Sequence, residues 1–154
     1  MTLRHASGFT LIELMLVVAL TSVLGAIAIP SIQGATQLYS LNTSTQSVTS
    51  AVRAARYLAI SRNTTVRVRF NSPLTSQFTV VDTAGAVLGP VMTLAPGVTF
   101  GAFKDLQVDA SGRVVTLTNC PNCVTGVAPG SIAVSNSGRT RLVTVTANGQ
   151  ISTS

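Results

Sequence analysis

From Phe9 to Ile29 the chain is apolar at nearly every position, and the one charge in those 21 residues is Glu13. At ~1.5 Å per residue a helix of that length reaches about 32 Å, enough to cross a hydrocarbon layer once. Beyond Pro30 the pattern becomes amphipathic: Val48, Val52, Ala55 and Ala59 recur at helical spacing, which predicts a helix to about Arg62 with this stripe laid on a sheet. Gly25, Pro30 and Gly34 weaken the helix locally, and the Ser/Thr-rich stretch Ser40 to Ser50 predicts a bend or partial unwinding.

At Thr64 the period changes to two. Val66, Val68 and Phe70 alternate with Arg67 and Arg69, the signature of a strand with one buried face and one basic solvent face. Further strands are expected at Phe78 to Val81, Val87 to Leu94, Val98 to Phe100, Val114 to Thr118, Ile132 to Val134 and Leu142 to Thr146, separated by turns such as Ala84-Gly85, Pro129-Gly130, Ser137-Gly138 and Asn148-Gly149. The fold class is α+β: a long N-terminal helix, its first half transmembrane, packed on an antiparallel sheet or a small two-sheet sandwich. The tripeptide Ser-Gly-Arg occurs at Ser111 and again at Ser137, which suggests two similar hairpin turns.

Charge sharpens this picture. An acid deep in a spanning helix costs roughly 2.5 to 3.5 kcal/mol, so Glu13 calls for a cation. Cleavage of the Gly8–Phe9 bond would supply an α-ammonium about one turn away, or on a neighbouring chain. Two other readings remain open. Thr10 and Glu13 fit a capping box, which needs no membrane and no partner. Arg4 with Ala26-Ile27-Ala28 fits an ordinary secretory signal that would leave a chain starting at Ile29. Arg4 is on the leader side and no further Lys or Arg follows until Arg53, so the N-terminus is expected in the cytoplasm and the remainder outside.

The basic leader ending in Gly8, followed by Phe9-Thr10-Leu11-Ile12-Glu13, resembles the prepilin peptidase site of the type IV pilin and type II secretion pseudopilin superfamily. The resemblance implies a leader over 1–8 removed by prepilin peptidase, a methylated Phe9, and Glu13 as an assembly determinant. It further implies a transmembrane and filament-core helix over 9–29, a periplasmic helix half over 30–62 and a β-rich domain over 63–154. The protein is then a single-pass protein of the bacterial inner membrane, anchored through Phe9 to Ile29 and assembled with other pilin or pseudopilin subunits. The passage Ala51 to Asn63, the strand Val66 to Phe70 and Asn136-Ser137-Gly138-Arg139 resemble the GspH/FimT branch.

Beyond the apolar segment nine Lys or Arg face three Asp, a net +6 that favours a polyanion. Gly138-Arg139-Thr140-Arg141 matches the Gly-Arg-x-Arg motif with which FimT-like minor pilins bind DNA in natural transformation. Arginines two apart share a face of an extended segment and can fork onto phosphate oxygens, while Gly138 allows a close turn. Lys104 and Arg113, on loops expected nearby, would enlarge the patch, and double-stranded DNA would be the partner. The alternative is a GspH-type minor pseudopilin with a purely structural role, in which Arg139 and Arg141 are the solvated face of a hairpin.

Catalysis is not expected. The sole histidine, His5, is in the leader, and no phosphate loop, nucleophile elbow or dinucleotide fingerprint is present. No cofactor, metal or small-molecule substrate is expected either. Cys120 and Cys123, the only cysteines, suit a local disulfide in an exported protein.

Overall fold

The computed structural model describes residues 9–72, 74–116 and 130–154, with the side chains of 27–31 and 116 left aside. The chain divides into two compact units, Met1–Thr36 and Gln37–Ser154, described separately below. Helix α1, Leu11–Arg62, contributes to both.

In the first unit the helix starts at a reciprocal cap. The Thr10 N–H and Oγ1–H both donate to Glu13 Oε2, at 2.9 and 3.0 Å, and the Glu13 N–H donates to Thr10 Oγ1 at 3.3 Å. The capping box is therefore formed, and Glu13 is not without a partner in its own chain. The apolar residues that follow are exposed on all sides, Leu11, Val17 and Leu24 among them, whereas a helix in water keeps such residues to one stripe. Its few hydroxyls are satisfied internally: Thr21 and Ser22 donate to the Val17 and Val18 carbonyls. Among the described residues no helix is long and apolar enough to cross a membrane. The run can be followed only from Leu11 to Ala26, about 24 Å of helix. The expected span of Phe9 to Ile29 thus lies partly outside the described side chains, and the leader with Gly8 lies wholly outside.

In the second unit the sequence stripe packs as expected. Val48, Val52, Ala55 and Ala59 are all buried, joined by Leu41 and Ala51. No unwinding occurs over Ser40 to Ser50, contrary to the expectation from propensity. The reason is tertiary: Leu41, Ser44, Thr45 and Val48 are buried against the sheets and Ser44 Oγ accepts from Ala95 N, while the Thr45 and Ser47 hydroxyls are satisfied on the Leu41 and Thr43 carbonyls.

The strands are β1 (Val66–Phe70), β2 (Gln77–Asp82), β3 (Met92–Thr93), β4 (Val98–Phe100), β5 (Leu106–Val108), β6 (Val114–Thr116), β7 (Ser131–Asn136), β8 (Arg139–Val145) and β9 (Ile151–Thr153). They form two antiparallel sheets, ordered β3-β2-β1-β5-β6 and β4-β7-β8-β9. Strand β1 alternates buried and half-buried as its sequence demands. A shared core holds Phe70, Phe78, Phe100 and Phe103, with Phe70 5.2 Å from Phe100 and 6.0 Å from Phe103, centroid to centroid.

Two expectations about strands fail. Val87 to Leu94 is not one strand: Gly89 and Pro90 interrupt it, so that only Met92–Thr93 pairs with β2, with an isolated bridge from Val87 to Val81. The two Ser-Gly-Arg turns also differ. Ser137 and Gly138, at φ 48° and 81°, make the two-residue type I′ turn of the β7–β8 hairpin. Ser111 instead sits in a longer loop where Asp109 Oδ1 accepts from the N–H groups of Ser111 and Arg113.

Candidate anion-binding site

The type I′ turn sets the geometry of the Gly-Arg-x-Arg segment. Both central residues need positive φ, which a side chain tolerates poorly at Gly138, and a Cβ there would meet nothing within 4 Å. Gly138 therefore serves the turn. Arg139 and Arg141 then enter β8 directly opposite Asn136 and Val134, two residues apart and on one face.

That face is also the face of buried Val143 and Val145. The two arginines consequently look toward α1 and differ in exposure. Arg139, at the strand's start, is exposed; Arg141 is half-buried in a groove of about 530 Å³ with Asn42, Gln46, Thr49 and Arg53 of the helix and Thr153 of β9. The hairpin is tied to the helix by Asn136, whose Nδ2 donates to the Gln37 carbonyl at 3.3 Å. Arg53, exposed and four positions beyond Thr49, is the cation that the sequence did not single out. Its position in the helix was legible, but its pairing with Arg141 depends on the register of β8.

Lys104 and Arg113 do not join this cluster, contrary to expectation. Val114 N donates to the Ala147 carbonyl, which puts Arg113 beside the β8–β9 turn. Strand β8 from Arg139 to Val145 spans about 20 Å, so the two arginines mark opposite ends of the sheet. Lys104 follows Ala102, whose carbonyl accepts from Ala133 N, and stands on the crossover to β5, again away from the Ser137-Gly138 turn. At Arg113's end Arg56 is occupied, with Nη1 donating to the Gly149 carbonyl.

The domain's carboxylates are all elsewhere. Asp82 accepts from Ala86 N. Asp105 is almost wholly buried and accepts from Phe70 N at 3.0 Å; burial pushes its carboxyl above the ordinary value, partly offset by that hydrogen bond and by Arg69 and Arg67. Asp109 is held below the ordinary value by hydrogen bonds from Ser111 and Arg113. None of the three neutralises Arg53, Arg139 or Arg141. Arg67 and Arg69 form a separate basic pair on the outer face of β1, where Arg67 Nε donates to Gln107 Oε1. Among the described residues no group of His, Cys, Asp or Glu could hold a metal ion. Cys120 and Cys123 lie outside the described residues.

Residues 3–29 match the prokaryotic N-terminal methylation motif. A comparison with curated protein sequences finds no match. Among solved structures, the type IV minor pilin FimU of Pseudomonas aeruginosa is similar at 15% identity with a TM-score of 0.56, over 77% of this chain and 91% of that one. The minor pseudopilin EpsH from the type 2 secretion system of Vibrio cholerae is similar at 17% identity with a TM-score of 0.52, over 74% and 95%. At such identities the likeness is one of fold. The N-terminal methylation motif thus precedes a domain whose fold is similar to those of a minor pilin and a minor pseudopilin.

Proposed function

We propose that the chain is a minor pilin of a type IV pilus machine that binds double-stranded DNA through phosphate contacts for uptake in natural transformation. In this reading residues 1–8 are a leader cut at Gly8–Phe9 by prepilin peptidase. Residues 9–29 then cross the inner membrane and form the filament core, and the domain beyond them is periplasmic, with Cys120 and Cys123 joined. Glu13 leaves its cap with Thr10 to pair with the Phe9 ammonium of a neighbouring subunit.

The observation that carries the DNA reading is the placement of Arg139 and Arg141 on one face of β8, next to a turn that holds no bulky side chain and with no carboxylate beside them. Phosphate contacts of this kind position a duplex without reading its bases. Arg139 is the more accessible of the two and should carry the larger share. The test is a gel shift of the detergent-solubilised chain with duplex DNA at two salt concentrations. Arg139→Gln with Arg141→Gln should weaken binding and lower the log–log salt slope by about 0.9 for each phosphate no longer neutralised. An unchanged titration rejects the site.

One observation favours a second reading, a minor pseudopilin with a purely assembling role. Arg141 is half-buried against the helix, as a side chain that closes a subunit surface would be, and the fold is as similar to EpsH as to FimU. A chain that restores type II secretion but shifts no DNA would decide for it.

A further inference from the structure

Strand β9 ends its sheet, and its outer edge meets no other strand among the described residues. Leu142 and Ser154 exchange both main-chain hydrogen bonds. Because such pairs alternate along antiparallel strands, Ser152 points its N–H and C=O at Thr144, whereas those of Ile151 and Thr153 point away from β8. Two residues thus offer free main-chain donors and acceptors on an open edge, the arrangement that accepts an added strand.

The side chains of Ile151 and Thr153 face the same side as Val143 and Val145 and form one wall of a continuous groove whose other wall is α1. Its two halves share Arg53 and Ile151. The half beside Thr153 is the polar, cationic one already described. The half beside Ile151, about 380 Å³, is mostly apolar, bounded by Val52, Tyr57, Ile60 and Val114, with the Arg56 guanidinium at its edge engaged by the Gly149 carbonyl. From Asn42 to Ile60 the helix wall runs about 27 Å, enough for an extended segment of eight or so residues. Tyr57 and Ile60 are 72% and 52% exposed, large apolar groups at the lip of the groove, with Ile60 resting on Gly112 at one side.

We infer that this groove is a strand-addition site for an extended segment of another polypeptide, one that carries a carboxylate two residues from a branched or aromatic apolar side chain. The spacing follows from the walls. A strand laid along β9 sends alternate side chains into the groove about 6.6 Å apart, one at the level of Thr153, between Arg53 and Arg141, and the next at the level of Ile151, against Tyr57 and Ile60. If it runs antiparallel to β9, the acid precedes the apolar residue. A carboxylate there meets two guanidiniums, while the domain's three Asp side chains are engaged elsewhere. A DNA duplex fits less well: phosphates have no use for the apolar half, and a backbone without amides cannot pair with the strand edge. The inference does not rest on the DNA reading: Arg141 serves both, but Arg139, the more accessible arginine of the DNA reading, is not part of the groove.

The test selects a random twelve-residue peptide library on the full-length chain in detergent micelles, then measures synthetic copies of the selected peptides by fluorescence anisotropy. Thr153→Pro removes only an outward-pointing N–H and leaves the β8 pairing, while Arg53→Glu reverses the charge at an exposed position. Selected peptides should share an acid two residues from an apolar side chain and lose at least tenfold in affinity for each variant, with Arg139→Gln unchanged. If the proline disturbs β9, the decision falls to charge exchange: the same peptide with lysine for its acid should regain binding to Arg53→Glu. Peptides without that pattern, variants that bind as tightly as the parent, or no regain on charge exchange would overturn the site. So would DNA retention that depends on Arg53 while no peptide binds.

Discussion

Asp105 is the sharpest place to perturb the domain, because one carboxylate does two opposed things there. Its Oδ1 accepts from Phe70 N at 3.0 Å, the last residue of β1, whose ring stacks edge-on against Phe100 and Phe103. At 6% exposure, however, its charge is poorly solvated, and burial raises its pKa above the ordinary 3.8. Asp105→Ala leaves a buried N–H without an acceptor and should cost about 1 to 3 kcal/mol, or about 4 to 12 °C in melting temperature for a domain of this size. Asp105→Asn keeps a neutral acceptor and removes the desolvated charge, so it should stay within about 1 kcal/mol of the parent. The pH dependence has a definite sign. A raised folded pKa means that the folded state holds the proton longer, so this group's stabilisation is complete below about 3.8 and declines as pH rises through the folded value. The parent should therefore lose ground to Asp105→Asn as pH rises above about 3.8, whereas Asp109, whose carboxyl is shifted the other way, cancels in the difference. Urea denaturation followed by near-ultraviolet circular dichroism of the phenylalanine cluster measures both effects. If Asn proves as damaging as Ala, or if the parent gains on Asn with rising pH, the account of Asp105 is wrong.

Three further outcomes are expected. Gly138→Val forces a β-branched residue to φ near 81° and should cost about 1 to 2 kcal/mol by thermal melting, with the loss centred on amide exchange in the β7–β8 hairpin. Phe70→Ala empties the middle of the aromatic cluster and should cost about 3 to 5 kcal/mol in urea denaturation, enough to unfold a marginal domain. Glu13→Val should leave the chain in the membrane fraction but depress its recovery in sheared filaments; normal recovery would remove the pairing role assigned to Glu13.

The helix stripe, the first strand and the place of the Ser137-Gly138 turn, though not its type, could be read from the sequence because each rests on residues close along the chain. Val66, Val68 and Phe70 alternate, and Ser137-Gly138 supplies the two positive φ values its turn needs. Strands β5 and β9 could not be read: each has three residues, and their strand character comes from partners, Val68 across from Leu106 and Val145 across from Ile151. The same limit applies to the site. The spacing of Arg139 and Arg141 gives their common face, but whether that face meets solvent or helix is decided by Val143 and Val145 further along the strand. Arg53 entered the cluster, and Lys104 and Arg113 left it, through long-range register alone.

The order of the strands also bears on how the domain comes apart. After β1 to β3 the chain places β4 in the other sheet, returns to complete the first with β5 and β6, and crosses again for β7 to β9. The two layers are interlaced rather than stacked from separate halves. Truncation between β4 and β5 leaves both sheets short, and truncation between β6 and β7 completes the first sheet but leaves β4 without its partner β7 and the first sheet without its cover. Such a domain should melt in a single step and present to a protease either a whole fold or none.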